Sequence, residues 1–178
     1  KLLRQIILSG LVDKIAKKYD YTISGKDGKE IKNAYQSIIL EDPIFIHPSS
    51  VLFKETPEYV CYVEMVETSK MYMKGLCSIE ANWLPVYLSN QCKFEKPIIN
   101  ETDENYEQFK PRFDKEKGLV VCHRKSVFGK VMWEIKPVEV EFPPSLDCYK
   151  WFARFLLEGE VFEELKKFFI LLILSFFF

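Results

Sequence analysis

Apolar and polar positions alternate with different periods along this chain, and the changes of period divide it into segments. At the start, Leu2, Leu3, Ile6, Ile7, Leu8, Leu11, Val12 and Ile15 recur at helical spacing, interrupted by Arg4, Gln5, Asp13 and Lys14. The pattern predicts one amphipathic helix over residues 1–19, with Lys17 and Lys18 near the negative end of its dipole. Gly25 and Gly28 then mark a turn. From there to Glu80 the period is two. Tyr21 and Ile23 alternate with polar partners, and Ile44-Phe-Ile-His47 ends at Pro48, which cannot donate to a ladder. In the run from Glu58 to Ser69, Tyr59, Cys61, Val63 and Met65 share one parity and Val60, Tyr62 and Val66 the other. Part of that strand is therefore expected to be buried on both faces. A further strand runs from Met71 to Ile79, where Gly75 suits a bulge or a barrel corner.

The period then changes again. Asn82-Trp-Leu-Pro-Val-Tyr-Leu-Ser reads as a short helix with Trp83 and Leu84 inward and Pro85 in its first turn. Residues 95–117 read as a solvated acidic linker, with six acids against three bases between Glu101 and Glu116. Residues 118–167 supply strands at Leu119–Cys122 and Val131–Ile135, extended over Val138–Phe142. Pro143-Pro144 breaks the chain, and Ser145 or Asp147 caps a helix from about Leu146 to Glu158. Tyr149, Phe152, Ala153, Leu156 and Leu157 are its expected packing face. Gly159 either ends that helix or only interrupts it, since Val161, Phe162 and Leu165 continue the pattern.

The fold class that follows is mainly β with flanking helices: a small barrel over residues 20–94 and a small α+β C-terminal domain. Composition changes this picture little. With 178 residues, 48% of them hydrophobic, and a formal net charge of −1, the chain is globular and not a wholly basic nucleic-acid binder. It opens on Lys1 rather than Met, which points to a fragment or a processed product. Residues 168–178 are an anomalous apolar tail holding five of the 15 phenylalanines. That run is shorter than the ~20 residues a spanning helix needs, so no membrane association is expected. Five scattered cysteines without a Cys-x-x-Cys pair read as free thiols in a reducing compartment.

Candidate chemistry is sparse. There is no Gly-x-x-x-x-Gly-Lys-Ser/Thr phosphate loop, no Gly-x-Ser-x-Gly elbow and no His-Glu-x-x-His. Cys122 and His123 are neighbours on one strand and point to opposite faces, against a nucleophile–base pair or a zinc site. His47 reads as a hydrogen-bonded structural histidine. No catalytic residue, metal or cofactor is expected in this chain. Two basic segments stand out. Lys70, Tyr72 and Lys74 alternate on one strand and share a face, which suits a phosphate track with a base platform between its cations. The alternative is that Tyr72 is core and the lysines line a solvated rim. Arg124 and Lys125, with Lys117 and Lys130, form the second segment, four bases without an acid from Lys117 to Lys130.

The strand region also carries recognisable wording. Phe45-Ile-His-Pro-Ser-Ser-Val-Leu-Phe53 precedes Tyr59-Val-Cys-Tyr-Val-Glu-Met-Val-Glu-Thr-Ser-Lys-Met-Tyr-Met73 and Ser78-Ile-Glu-Ala-Asn-Trp-Leu84. This resembles the oligonucleotide/oligosaccharide-binding (OB) domain of DEAH-box RNA helicases, and Leu3-Arg-Gln-Ile-Ile-Leu-Ser-Gly10 resembles the helix leading into it from the ratchet-like helical domain. Val121-Cys-His-Arg-Lys-Ser-Val-Phe128 and Tyr149-Lys-Trp-Phe-Ala-Arg-Phe-Leu-Leu-Glu-Gly159 resemble the extra C-terminal domain of the nucleolar branch that acts in small ribosomal subunit assembly. The resemblance implies an RNA-binding accessory module, or a protein-docking module, of an ATP-dependent helicase. It implies single-stranded pre-ribosomal or small nucleolar RNA and ribosome assembly proteins as partners, and a nucleolar location in the nucleus. ATP and Mg²⁺ belong to the ATPase lobes, which this chain lacks.

Overall fold

The computed structural model describes residues 1–21, 23–24 and 30–165. The Gly25–Gly28 turn and the apolar run from Phe168 lie outside the described residues. The chain divides into two compact units, Lys1–Lys93 with Val127–Ile135, and Phe94–Ser126 with the described residues from Lys136 on.

The first unit opens with helix α1 (Leu2–Gly10). The helix expected over residues 1–19 stops there, and Ile15–Lys18 is strand β1. The reason is tertiary. Ile15 and Ala16 are both fully buried on consecutive positions, which a strand between two neighbours allows and a surface helix does not. After β1 come β2 (Ile23–Ser24) and β3 (Glu30–Ile31), paired with each other, then β4 (Ala34–Ser37) and β5 (Ile44–Ile46). The run from Glu58 to Ser69 forms two strands, β6 (Tyr59–Cys61) and β7 (Glu64–Glu67). The run from Met71 to Ile79 likewise forms β8 (Met71–Lys74) and β9 (Cys77–Ile79). Helix α2 (Trp83–Tyr87) follows with Trp83, Leu84 and Pro85 buried.

Seven of these strands make one mixed sheet in the order β7-β8-β5-β4-β1-β6-β9, with β5 and β8 parallel. The order is linear, its two edges are β7 and β9, and among the described residues no sheet closes on itself. This corrects the closed barrel expected from short strands and from the family resemblance; the architecture is a mixed sheet with flanking helices and a second, smaller sheet. The cause lies in the breaks at Tyr62-Val63 and Gly75-Leu76, which put the two halves of one long hairpin at opposite edges. Gly75 has φ +63°, and a Cβ there would stand 2.9 Å from the Val63 side chain.

The sheet separates two cores, as the double parity of the Tyr59 run requires. Ile15, Tyr59 and Cys61 face one, with Leu8 of α1 and Trp83, Leu84 and Leu88. Ala16, Val60 and Tyr62 face the other, with Tyr35, Ile44, Ile46 and Met73. Each large apolar side chain buried this way contributes about 1.5–3 kcal/mol. Trp133 closes the first core. It stacks on Phe128 at 6.0 Å, meets Tyr59 edge-on at 5.9 Å, and its indole N–H donates to Gln36 Oε1 at 2.6 Å.

The smaller sheet contains β10 (Cys92–Phe94), β11 (Arg112–Asp114), β12 (Leu119–Phe128) and β13 (Trp133–Glu141), with β12 pairing all three others. The stretch expected as a solvated linker is partly folded. Tyr106 and Phe109, at helical spacing on α3 (Tyr106–Phe109), are buried, and β11 pairs with β12. The acids at 101–107 stay exposed, so their charge hid two buried rings. Helix α4 (Leu146–Leu157) is capped by Ser145, whose Oγ accepts the Cys148 N–H at 3.2 Å. Its packing face is Cys148, Trp151 and Phe155, against Val120, Cys122 and Phe142. Tyr149, Phe152, Ala153 and Leu157, expected inside, are exposed. Outside the charged stripe of Asp147, Lys150 and Arg154 the helix is apolar over a wide arc, so periodicity alone could not choose its inner side.

Candidate nucleic-acid interface

The candidate site of the first unit grows from the period of two on β5 and β8. On β5, Ile44 and Ile46 enter the core while Phe45 and His47 take the opposite side. On β8, Met71 and Met73 pack inward while Tyr72 and Lys74 turn outward. The parallel register sets Phe45 directly beside Tyr72. Their rings lie 6.2 Å apart, and His47 meets Tyr72 edge-on at 5.5 Å. Tyr72 is therefore not core; Met73 holds that place.

Lys70, in the turn before β8, puts its ammonium 4.4 Å from the centre of the Phe45 ring. Such cation–π contacts hold a charge near a ring at about 0.5–1 kcal/mol when exposed, leaving it free to meet a second anion. A depression of about 200 Å³ opens here, lined by Phe45, Tyr72, Phe53, Lys70 and Lys32 among others, with no acid in its lining among the described residues. The His47-Pro-Ser-Ser50 segment sets its rim. Ser49 N–H donates to His47 Nδ1 at 3.2 Å and Ser50 Oγ accepts the Leu52 N–H at 3.2 Å. Half-buried rings beside exposed ammonium groups are the chemistry of single-strand binding: bases stack, phosphates pair.

Of the residues singled out in the sequence, Lys70 and Tyr72 come together here. Lys74 shares their face but sits opposite Glu64 of β7, away from the depression's lining. Arg124 and Lys125 lie in the second unit. The Arg124 Nε–H donates to the Glu95 carbonyl at 2.8 Å, its guanidinium lies 4.7 Å from the Phe94 ring centre, and burial pulls its pKa down. Arg124 thus fastens the chain after β10. Lys125 is exposed and gives its backbone carbonyl to Glu95 N–H. Sequence reasoning missed Phe45, Phe53 and Lys32. The alternation Ile44-Phe45-Ile46-His47 is the signal that would have found Phe45; Lys32 and Phe53 are joined to it only by the fold.

The second unit has a groove of about 470 Å³ with Glu101, Glu107 and Glu158 in its lining. Those acids pair with Lys110 and Arg154, and Arg154 covers Trp151 at 5.0 Å. Among the described residues, no group of three or more His, Cys, Asp or Glu stands together to hold a metal ion. With no phosphate-binding loop in the sequence either, the residues present do not fit Mg²⁺–ATP.

Comparison with known proteins agrees with the wording of the strands. The oligonucleotide/oligosaccharide-binding (OB)-fold family matches residues 3–91. The human protein named "Probable ATP-dependent RNA helicase DHX37" is 48% identical over 166 residues, which is 93% of this chain and 14% of that protein. The Drosophila melanogaster protein "Probable ATP-dependent RNA helicase kurz" is 38% identical over 94% of this chain and 14% of its own length. The Arabidopsis thaliana "ATP-dependent RNA helicase DEAH13" is 29% identical over 94% of this chain and 12% of its own length. The chain thus spans about one-seventh of the human and Drosophila relatives and about one-eighth of the Arabidopsis one. It belongs to the oligonucleotide/oligosaccharide-binding (OB)-fold family, in the form found in the C-terminal region of DEAH-box RNA helicases.

Proposed function

We propose that this chain is an RNA-binding accessory module of an ATP-dependent DEAH-box RNA helicase that works in ribosome biogenesis. The observation that carries the reading is the depression in which Phe45 and Tyr72 stand beside Lys70 and Lys32. A single strand crossing it would stack a base on the Tyr72–Phe45 platform and set its phosphates against the two ammonium groups. Holding the strand is the module's part; ATP and Mg²⁺ act in ATPase lobes elsewhere in such a helicase. Residues 1–19 would then continue a ratchet-like domain, 20–94 form the RNA-binding module, and 118–167 a branch-specific addition. Pre-ribosomal or small nucleolar RNA and a nucleolar location follow from the same reading.

The test is binding of a fluorescent single-stranded RNA of mixed sequence, titrated with salt. Expected is binding that weakens steeply with salt and falls in a Lys70→Ala, Tyr72→Ala double variant. A folded chain that binds no RNA at low salt overturns the proposal. One observation favours a second reading, docking of ribosome assembly proteins: α4 leaves Leu146, Tyr149, Phe152 and Leu157 exposed.

A further inference from the structure

Cys61 and Cys77 stand directly opposite each other in the antiparallel β6–β9 ladder. Opposed residues in such a ladder have Cα atoms about 4.5 or 5.5 Å apart, depending on the pair type. Both spacings lie within the range of roughly 4.4–6.8 Å that a disulfide bridges. Opposed side chains also leave the sheet on the same face, and both cysteines meet the core shared by Tyr59, Ile79 and Trp83. The two thiols interact, and neither stands in a disulfide.

We infer that Cys61 and Cys77 form a redox-responsive pair that closes to a cross-strand disulfide by exchange with a low-molecular-weight disulfide such as oxidised glutathione. Cys77 is half-buried and Cys61 fully buried, which sets the order of events. Cys77 loses its proton to solvent, and its thiolate attacks one sulfur of oxidised glutathione. The glutathione S–S bond breaks and one glutathione leaves as thiolate, taking up a proton. The Cys61 sulfur, after losing its own proton, attacks Cys77 Sγ in the mixed disulfide. The second glutathione leaves and the Cys61–Cys77 bond forms. The protein gives up two protons and two electrons, and one oxidised glutathione becomes two reduced molecules. Burial pushes the Cys61 thiol up to about 12, so the closing step is slow at neutral pH and speeds up as pH rises. In a reducing compartment the pair rests as thiols and closes when that poise shifts. Closure joins edge strand β9 covalently to β6, beside the Ser78 carbonyl and hydroxyl that hold Arg4 of α1.

The test treats the whole chain, natively folded, with oxidised glutathione at mildly alkaline pH, then alkylates free thiols and maps it unreduced by mass spectrometry. Expected is a linked Cys61–Cys77 peptide, two fewer free thiols, reversal by dithiothreitol, and a higher melting temperature for the oxidised form. Cys77→Ser removes the link, and Cys61→Ser arrests Cys77 as its glutathione adduct. Because a serine at buried Cys61 risks unfolding, the wild-type map decides on its own. A wild-type chain in which Cys77 stays glutathionylated or unreacted, or in which the links join other cysteines, overturns the inference.

Discussion

Two basic segments with the same residue types behave differently once folded. In the first unit, Lys70 rests over an aromatic platform whose depression has no acid in its lining among the described residues. In the second, Arg124 donates its Nε–H to the Glu95 carbonyl and lies over the Phe94 ring, and the groove of that unit pairs its acids with Lys110 and Arg154. A cation bonded within its own unit contributes to the fold; one held only over a ring keeps all its N–H donors for another partner. Charge counted along the chain does not distinguish the two.

The sharpest contrast lies between neighbours on β8. Met73→Ala should cost about 2–5 kcal/mol of stability, because its side chain is fully buried, as chemical denaturation will measure. Tyr72→Ala should leave stability nearly unchanged while weakening RNA binding by about 1–3 kcal/mol for each stacked base lost. Equal destabilisation by the two would erase the distinction between core and platform. Next, Lys32→Ala with Lys70→Ala should weaken binding uniformly across RNA sequences. The slope of log affinity against log salt should fall by about 0.7 for each phosphate contact removed. Arg124→Ala should cost about 1 kcal/mol, reduced for its partial exposure, and leave the salt slope unchanged. A lower slope instead would return Arg124 to the RNA interface. Lys125→Ala should be the mildest, within about 0.5 kcal/mol in stability, since its exposed side chain holds no part of the fold.

Legibility followed the strength of each local signal. Strand β5 and helix α2 were readable because each is a short apolar run punctuated by proline, Pro48 after β5 and Pro85 in the first turn of α2. The double burial of Tyr59–Tyr62 was readable because both parities are apolar. Strand β1 was not, because Ile15 fits a helical series as well as it fits a strand. The inner face of α4 was not, because Trp151 and Phe155 compete with Tyr149 and Leu157 on equal hydrophobicity. At the candidate site, Lys70 and Tyr72 were visible as an alternation within one strand. Phe45 reached them through a parallel pairing of β5 with β8, 27 residues apart at the Phe45–Tyr72 pair.

By itself, then, the sequence determined most of the kinds of element, the family wording of the His-Pro-Ser-Ser and Trp-Leu segments, and which short residue runs are basic. These are local properties, written in period, punctuation and side-chain type. The tertiary structure alone decided that the sheet stays open, that Arg124 meets the Glu95 carbonyl while Lys70 lies over Phe45, and that Cys61 faces Cys77. Each depends on register between strands distant in sequence, and register is fixed by the fit of whole buried faces, not by any one segment.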